Sequence, residues 1–299
     1  MNPMTSTDWS SHARRYNSRG GQALSMPMLE AAFSKHFFPI LDAYLADPTT
    51  TKPLQILCLC GGTAPETVLL CKRYDTSQIH VITTDNAEGM VQVARDTIEG
   101  GGFGDRAEAR IMDAMNIDAP ASSFDIVCLI LGPMLLPDAA KCFRDAFRVL
   151  KPGGKFFTLT PGRFDIHDVM ANAKKVVMEK AGRGDAFRNI FEENVRQKWG
   201  TVEALEGKLG EVGLFVDVKA RLDGAELPVP SEEDVDDMLE SMFTNPGVSA
   251  LYKSGLSDQE FQEWQAAVRA EIRRRRAGSL GTYSMRMEAC SASASKPPE

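Results

Sequence analysis

Apolar positions along this chain follow two rhythms. In the first 50 residues they recur at helical spacing. Asp8 can cap a short segment carrying Trp9, Ala13 and Tyr16, and a longer segment opened by Ser25 and Met26-Pro27 sets Leu29, Phe33, Phe37, Ile40, Leu41 and Leu45 near one face. The polar link from Pro48 to Pro53 ends it. From Leu54 the rhythm changes to short apolar runs, over 54–60, 78–83, 107–112, 125–131 and 155–160, which read as strands. Helical patterns at 65–73, 87–99 and 137–149 separate them. Such alternation predicts a parallel sheet covered on both faces. A helix over 201–212, a strand over 215–220 and a terminal strand over 282–289 complete seven strands. The predicted fold class is therefore α/β: a seven-stranded, mostly parallel, doubly wound (Rossmann-like) sheet with an N-terminal helical lid and helical cap insertions.

Two stretches, Pro161 to Trp199 and Pro228 to Gly278, break the alternation as helical insertions after the fifth and sixth strands. Segments that leave strand C-termini line the crevice of an open parallel sheet, so the first insertion is a candidate substrate cap. The organisation expected is a lid at 1–53, the core at 54–160, a helical cap insertion at 161–199, core continuation at 200–227, a second helical insertion at 228–278, a terminal strand at 279–290 and a disordered tail at 291–299, which is small and polar.

Composition removes several function classes. With 43% apolar and 25% charged residues the 299-residue chain reads as globular, and its longest apolar stretches, Ile126 to Leu136 and Leu54 to Cys60, fall short of a bilayer span. The polar start, Met1 to Asn17, does not read as a secretory signal, so a cytoplasmic location is expected. A net charge of -7 repels a phosphate backbone, and nucleic acid is not an expected partner. The basic run Arg273 to Arg276 follows a helical pattern, where cations complement the helix dipole. Cys58 and Cys60 form a C-x-C without a second ligand pair at finger-like spacing, so no metal is expected, and the thiols are expected to be reduced.

The candidate chemistry lies at strand ends. The apolar run Ile56 to Cys60 enters Gly61-Gly62-Thr63, and Pro65 then opens a helix; a glycine pair there allows a sharp turn and close approach of a ligand to free N–H groups. The second strand ends at Asp85-Asn86, about 20 residues on, where an acid accepts ribose hydroxyls in doubly wound folds. Capping the next helix is the alternative role for Asp85. Asp113 follows the third strand and faces the same crevice, unless it belongs to a solvated loop. Neither the dinucleotide fingerprint nor a P-loop is present.

The order Gly61-Gly62-Thr63, then Asp85 to Met90, Asp113-Ala114, Ser123 to Val127, and Phe147 to Gly154 resembles the class I S-adenosylmethionine-dependent methyltransferases, and most of all the ubiquinone/menaquinone C-methyltransferase type, over about residues 9–160. The resemblance implies S-adenosyl-L-methionine as cofactor. It places Gly61 and Gly62 at the methionine part, Asp85 at the ribose, and Asp113 at the adenine amino group, with Cys60 also in the cofactor site. Asn86, Met90 and Ala114 would lie beside the adenine ring, and Leu131 and Gly132 would floor the reacting end. Tyr16, on a helix similar to the family's closing helix, would contact the cofactor, with amphipathic packing as its alternative. Two positions depart from the family's pattern: Cys58 stands where an acid is usual and Ala64 where a third glycine is usual.

The implied activity is methyl transfer by direct displacement to an apolar or aromatic small molecule, such as a quinol, phenol or polyketide. His167, beside the predicted cap, is the first candidate base and His12, in the lid, the second. Met134, Phe164, Phe187, Phe191, Met238, Met242 and Phe243 could line an adaptable apolar pocket or simply form core. Two other functions remain open at this point: a catalyst or cofactor-bound scaffold of the same fold that transfers no methyl group, and a non-enzymatic interaction protein.

Overall fold

The computed structural model describes residues 5–298 apart from 23–24, 49, 51, 229–231 and 279–282. The chain opens with helices α1 (Ser6–Tyr16), α2 (Arg19–Gln22), α3 (Ser25–Ala32) and α4 (Phe38–Leu45). A π turn, Phe33–Phe37, joins the last two. Pro39 explains it: lacking an N–H and crowding the carbonyl four residues back, proline disrupts the regular ladder, and Phe38 N–H instead donates to Phe33 O, five residues away.

The alternating part follows: β1 (Leu54–Leu59), α5 (Pro65–Arg73), β2 (Ile79–Asp85), α6 (Glu88–Gly100), β3 (Ala107–Ile111), β4 (Phe124–Ile130), α7 (Ala139–Val149) and β5 (Leu150–Phe164). Then come α8 (Asp165–Lys180), α9 (Gln197–Trp199), α10 (Val202–Gly210), β6 (Val216–Pro228), α11 (Glu232–Thr244), α12 (Pro246–Lys253), α13 (Asp258–Ala277) and β7 (Ser284–Ser295). All seven strands form one sheet in the order β3-β2-β1-β4-β5-β7-β6, in which β7 runs antiparallel to both neighbours.

Strand periodicity sorts the core into two layers. Ile56, Cys58, Ile126, Cys128 and Phe157 pack with Phe33, Phe37 and Leu41 on one face, whereas Leu57, Leu59, Val127, Leu129 and Phe156 pack with Phe143, Leu205 and Leu209 on the other. Each fully buried side chain of this size contributes roughly 1.5–3 kcal/mol. All six cysteines are free thiols, and Cys58 and Cys128 sit opposite each other in the β1–β4 ladder.

The end of the chain corrects the sequence reading. Residues 291–295, expected within a disordered tail, continue β7, with Ser291, Ala292, Ala294 and Ser295 buried between β5 and β6. Small side chains fail to signal a strand, yet here they suit a sheet interior where backbone hydrogen bonds hold the pairing and close-packed elements cover the faces. His36, for example, places both ring nitrogens against Ser291 and Ser293 hydroxyls, at 2.8 and 3.1 Å. Strands β5 and β6 also extend well past their expected ends, because β7 pairs with them over its length. Thr282, the expected start of the terminal strand, lies outside the described residues.

Candidate active site

The crevice opens where β1 and β4, adjacent in the sheet, send their chains to opposite sides. Four residues without glycine's freedom or with it adopt left-handed backbone at this rim: Cys60 (φ 52°), Gly62 (φ 52°) and Ala64 (φ 69°) in the turn after β1, and Leu131 (φ 53°) after β4. Such conformations cost non-glycine residues roughly 1–3 kcal/mol each and gather at functional sites. Gly132 is required by space: a Cβ there would lie 2.9 Å from Cys60 Cβ.

Asp85, the last residue of β2, ties the turn in place. Its Oδ2 accepts from Gly62 N–H at 3.1 Å and its Oδ1 from Ala87 N–H at 2.9 Å. Burial raises its pKa against the lowering effect of these N–H donors. Both oxygens keep a further acceptor position. Asp113 Oδ1 accepts from Met115 N–H at 2.9 Å, closing its own turn. Over the top lies α1, held on α6 by the Gly89 N–H to Ser10 Oγ bond at 3.0 Å. Gly89 permits this approach, since a Cβ would meet Ser10 O at 2.4 Å. The Tyr16 ring therefore covers the turn, and burial, with Glu66 and Asp85 nearby, pushes its phenol up to about 12.

These elements enclose a cavity of about 210 Å³ lined by Tyr16, Cys60, Gly62, Asp85, Asn86, Met90, Asp113, Ala114, Leu131 and Gly132, together with Ser6, Trp9, Met112, Met115, Ile130, Leu135, Leu136 and Pro137. Of the sequence-predicted binding residues, Gly61 alone is turned away: its N–H is engaged by Thr84 O at 2.8 Å, and a Cβ on it would meet Thr83 and Glu66. The residues present fit an adenosyl group bearing a charged tail. Two separated carboxylates face the space, and the turn approaches it as bare backbone, since a Cβ at Gly62 would find nothing nearer than Tyr16 at 3.9 Å.

A second cavity, of about 320 Å³, shares Trp9, Tyr16, Leu131 and Leu135 with the first. Its far walls come from both insertions: Phe164, His167, Phe191, Asn194 and Val195 from one side, Ser241, Met242, Asn245, Val248 and Leu251 from the other. His167, in the first turn of α8, stacks on Phe191 with ring centres 3.7 Å apart, and its Nδ1 lies 2.9 Å from Tyr252 Oη. Burial brings its pKa down to about 3, so the ring is neutral at physiological pH.

His12 is not brought to either cavity: it is buried in α1 with Nε2 unpartnered, and burial with Arg15 beside it lowers its pKa to about 4. Of the expected pocket residues, Met134, Phe164, Phe191 and Met242 line the second cavity, whereas Met238 and Phe243 are core and Phe187 packs against it. Asn194, Ser241 and Asn245 also line the second cavity and are not singled out by the sequence; Asn245 caps α12, accepting from Gly247 and Val248 N–H. Among the described residues no group of His, Cys, Asp or Glu could hold a metal ion, and no helix is long and apolar enough to cross a membrane.

A parallel sheet with an antiparallel strand inserted next to its edge, and a cavity at the β1–β4 switch bounded by a glycine turn and strand-end acids, defines the class I methyltransferase fold. The chain belongs to the ubiE/COQ5 methyltransferase family, whose model matches residues 28–183, just over half of its length. It is similar to demethylmenaquinone methyltransferase of Bacteroides fragilis, with 27% identity over 44% of this chain and 54% of that protein. It is also similar to the ubiquinone/menaquinone biosynthesis C-methyltransferase UbiE of Methylobacterium nodulans, with 28% identity over 58% of this chain and 71% of the relative. The match thus spans about half the length of the Bacteroides protein. Among solved structures, phosphoethanolamine N-methyltransferase 2 of Haemonchus contortus, in complex with phosphomonomethylethanolamine and S-adenosylhomocysteine, shares the fold, with a TM-score of 0.52 and 14% identity over 99% of this chain and 62% of that one.

Proposed function

We propose that this protein is an S-adenosylmethionine-dependent methyltransferase that moves a methyl group by direct displacement to an apolar or aromatic, quinol- or phenol-like small molecule. The observation that carries the reading is the shared wall: a cavity faced by two strand-end acids abuts a second, more apolar cavity through Trp9, Tyr16, Leu131 and Leu135. Family membership and the menaquinone and ubiquinone relatives support the same assignment.

When bound, S-adenosylmethionine supplies a methyl group activated on a sulfonium. The protein's part is placement and exclusion of water. Asp85 is assigned to the ribose hydroxyls through its free acceptor positions, Asp113 and Asn86 to the adenine edge, and the Gly62 backbone to the amino-acid end. Trp9 and Tyr16 close the lid over the boundary between the cavities. His167 is the assigned catalytic group: its neutral ring can accept a hydrogen bond from an acceptor hydroxyl, although depressed basicity keeps its contribution to proton removal modest.

The test is titration calorimetry with S-adenosylmethionine and S-adenosylhomocysteine, followed by a labelled-methyl assay with reduced naphthoquinones and simple phenols. Binding with label transfer to at least one acceptor is the expected result. Binding without transfer to any acceptor would favour a non-transferring protein of the same fold, and absence of binding would remove the enzyme reading.

A further inference from the structure

Behind the glycine turn, on the side away from the first cavity, lies a carboxyl that the proposed reaction does not use. Glu66, at the second position of α5, is only 2% exposed, and its Oε1 is buried without a hydrogen-bond partner. The Thr83 Oγ1 beside it is also unpartnered. A Cβ on Gly61 would stand 2.6 Å from Glu66 Oε1 and 2.2 Å from Thr83 Oγ1, so the carboxyl bears directly on the Cα of the turn. A leucine would fill such a space at lower cost, because an unpaired buried polar group forfeits its hydration. Unpaired buried groups of this kind in a native fold call for a functional account.

The surroundings define the charge states. Facing Glu66 are Asp85 from β2, Tyr16 from α1, and Cys58 and Cys60 from β1 and its end. Burial keeps the phenol and the Cys60 thiol neutral through pH 9, and a hydrogen bond with Cys128, together with burial, does the same for Cys58, which leaves Asp85 and Glu66 as the ionising pair. Burial pushes Glu66 up to about 8 against the lowering effect of its own backbone N–H, with Asp85 adding to the rise, so it is mostly protonated at neutral pH.

We propose that Glu66 is a positioning residue that makes the first cavity discriminate by charge, giving up its proton when a cation seats beyond the Gly61–Gly62 turn and keeping it when the occupant is neutral. The inference rests on the methyltransferase reading and deepens it. A sulfonium donor and its thioether product differ by one positive charge at one atom, and the two acids behind and beside the turn are arranged to sense that difference. Ionised Glu66 favours the donor; protonated Glu66 lets the product compete.

The experiment measures dissociation constants for S-adenosylmethionine and S-adenosylhomocysteine from pH 6.5 to 9, in wild type and Glu66→Gln. In wild type the preference for donor over product should rise roughly tenfold across this range, the change that one unit of differential proton affinity produces. In Glu66→Gln it should stay flat. Parallel profiles in the two proteins would overturn the proposal while leaving the methyltransferase reading intact. Should the variant not fold, calorimetry of wild type in two buffers of different ionisation heat decides: more proton release with donor than with product is expected, and equal release overturns the proposal. Failure of wild type to bind either ligand would remove the methyltransferase reading and this inference with it.

Discussion

The two cavities of this protein meet at one wall yet are built from different materials. The first is made at the ends of parallel strands, where left-handed backbone at Cys60, Gly62, Ala64 and Leu131 and two acids set its shape. The second is made of side chains contributed by the lid and both insertions, mostly apolar, with an imidazole stacked into its lining. Charge and backbone geometry govern one, shape and desolvation the other. The first cavity thus rests on the backbone at the sheet's rim, whereas the second is walled largely by segments inserted outside the sheet.

The largest expected contrast between the two regions is in their response to pH. Glu66 has a folded-state pKa near 8 against 4.5 for an ordinary glutamate. A carboxyl raised by burial carries no ionisation penalty below pH 4.5, costs the fold progressively more as pH rises, and reaches its full penalty once pH passes about 8. Urea melts between pH 5 and 8 should show wild type losing on the order of 3 kcal/mol relative to Glu66→Gln. Parallel curves would mean the carboxyl is already ionised when folded. His167, neutral down to about pH 3, should add no break to the rate profile over the same range.

Next in size, Asp85→Ala should weaken S-adenosylmethionine binding by roughly 1.5–3 kcal/mol, the cost of lost charge-assisted hydrogen bonds. Affinity for acceptor, measured by competition with an unreactive quinone analogue, should barely change. Equal damage to both would show that the wall does not separate two functions. The complementary variant, His167→Ala, should reduce kcat/KM about 100-fold, the low end for an acid–base group, with donor affinity unchanged. Loss of donor affinity there would place His167 on the wrong side of the boundary.

How much of this could be read beforehand also divides along the same line. The rim was legible because each of its parts leaves a local mark: an apolar run before Gly61-Gly62, an acid closing β2, another after β3. Gly61 shows the limit of such marks, since adjacent glycines look alike in sequence but only Gly62 meets the cavity, the other being spent on the space that Thr83 and Glu66 occupy. The second cavity was only partly legible. Helical spacing cannot say which apolar side chains face a void, so Met242 lines it while Phe243, one residue on, packs against Trp264. Burial of Glu66 and His12 was invisible, because each sits at a helix position that would be solvated in most contexts. The alternating Ala and Ser at the end of β7 carried no strand signal, since what buries them is the length of their neighbours.

The smallest effect sharpens the account of the rim. Ala64 holds φ at 69°, and Ala64→Gly should relieve about 1 kcal/mol of strain, raising thermal stability slightly and leaving donor affinity equal or better. A clear loss of affinity would show that the methyl group is itself part of the cofactor's seat.

The measurement that bears most directly on the central claim is a crystal structure with S-adenosylhomocysteine bound. The ribose should rest on Asp85, the adenine edge on Asp113, and the sulfur should point across Tyr16 and Leu131 into the apolar cavity. A ligand that leaves Asp85 and Asp113 untouched, or whose sulfur faces bulk solvent, would contradict the account.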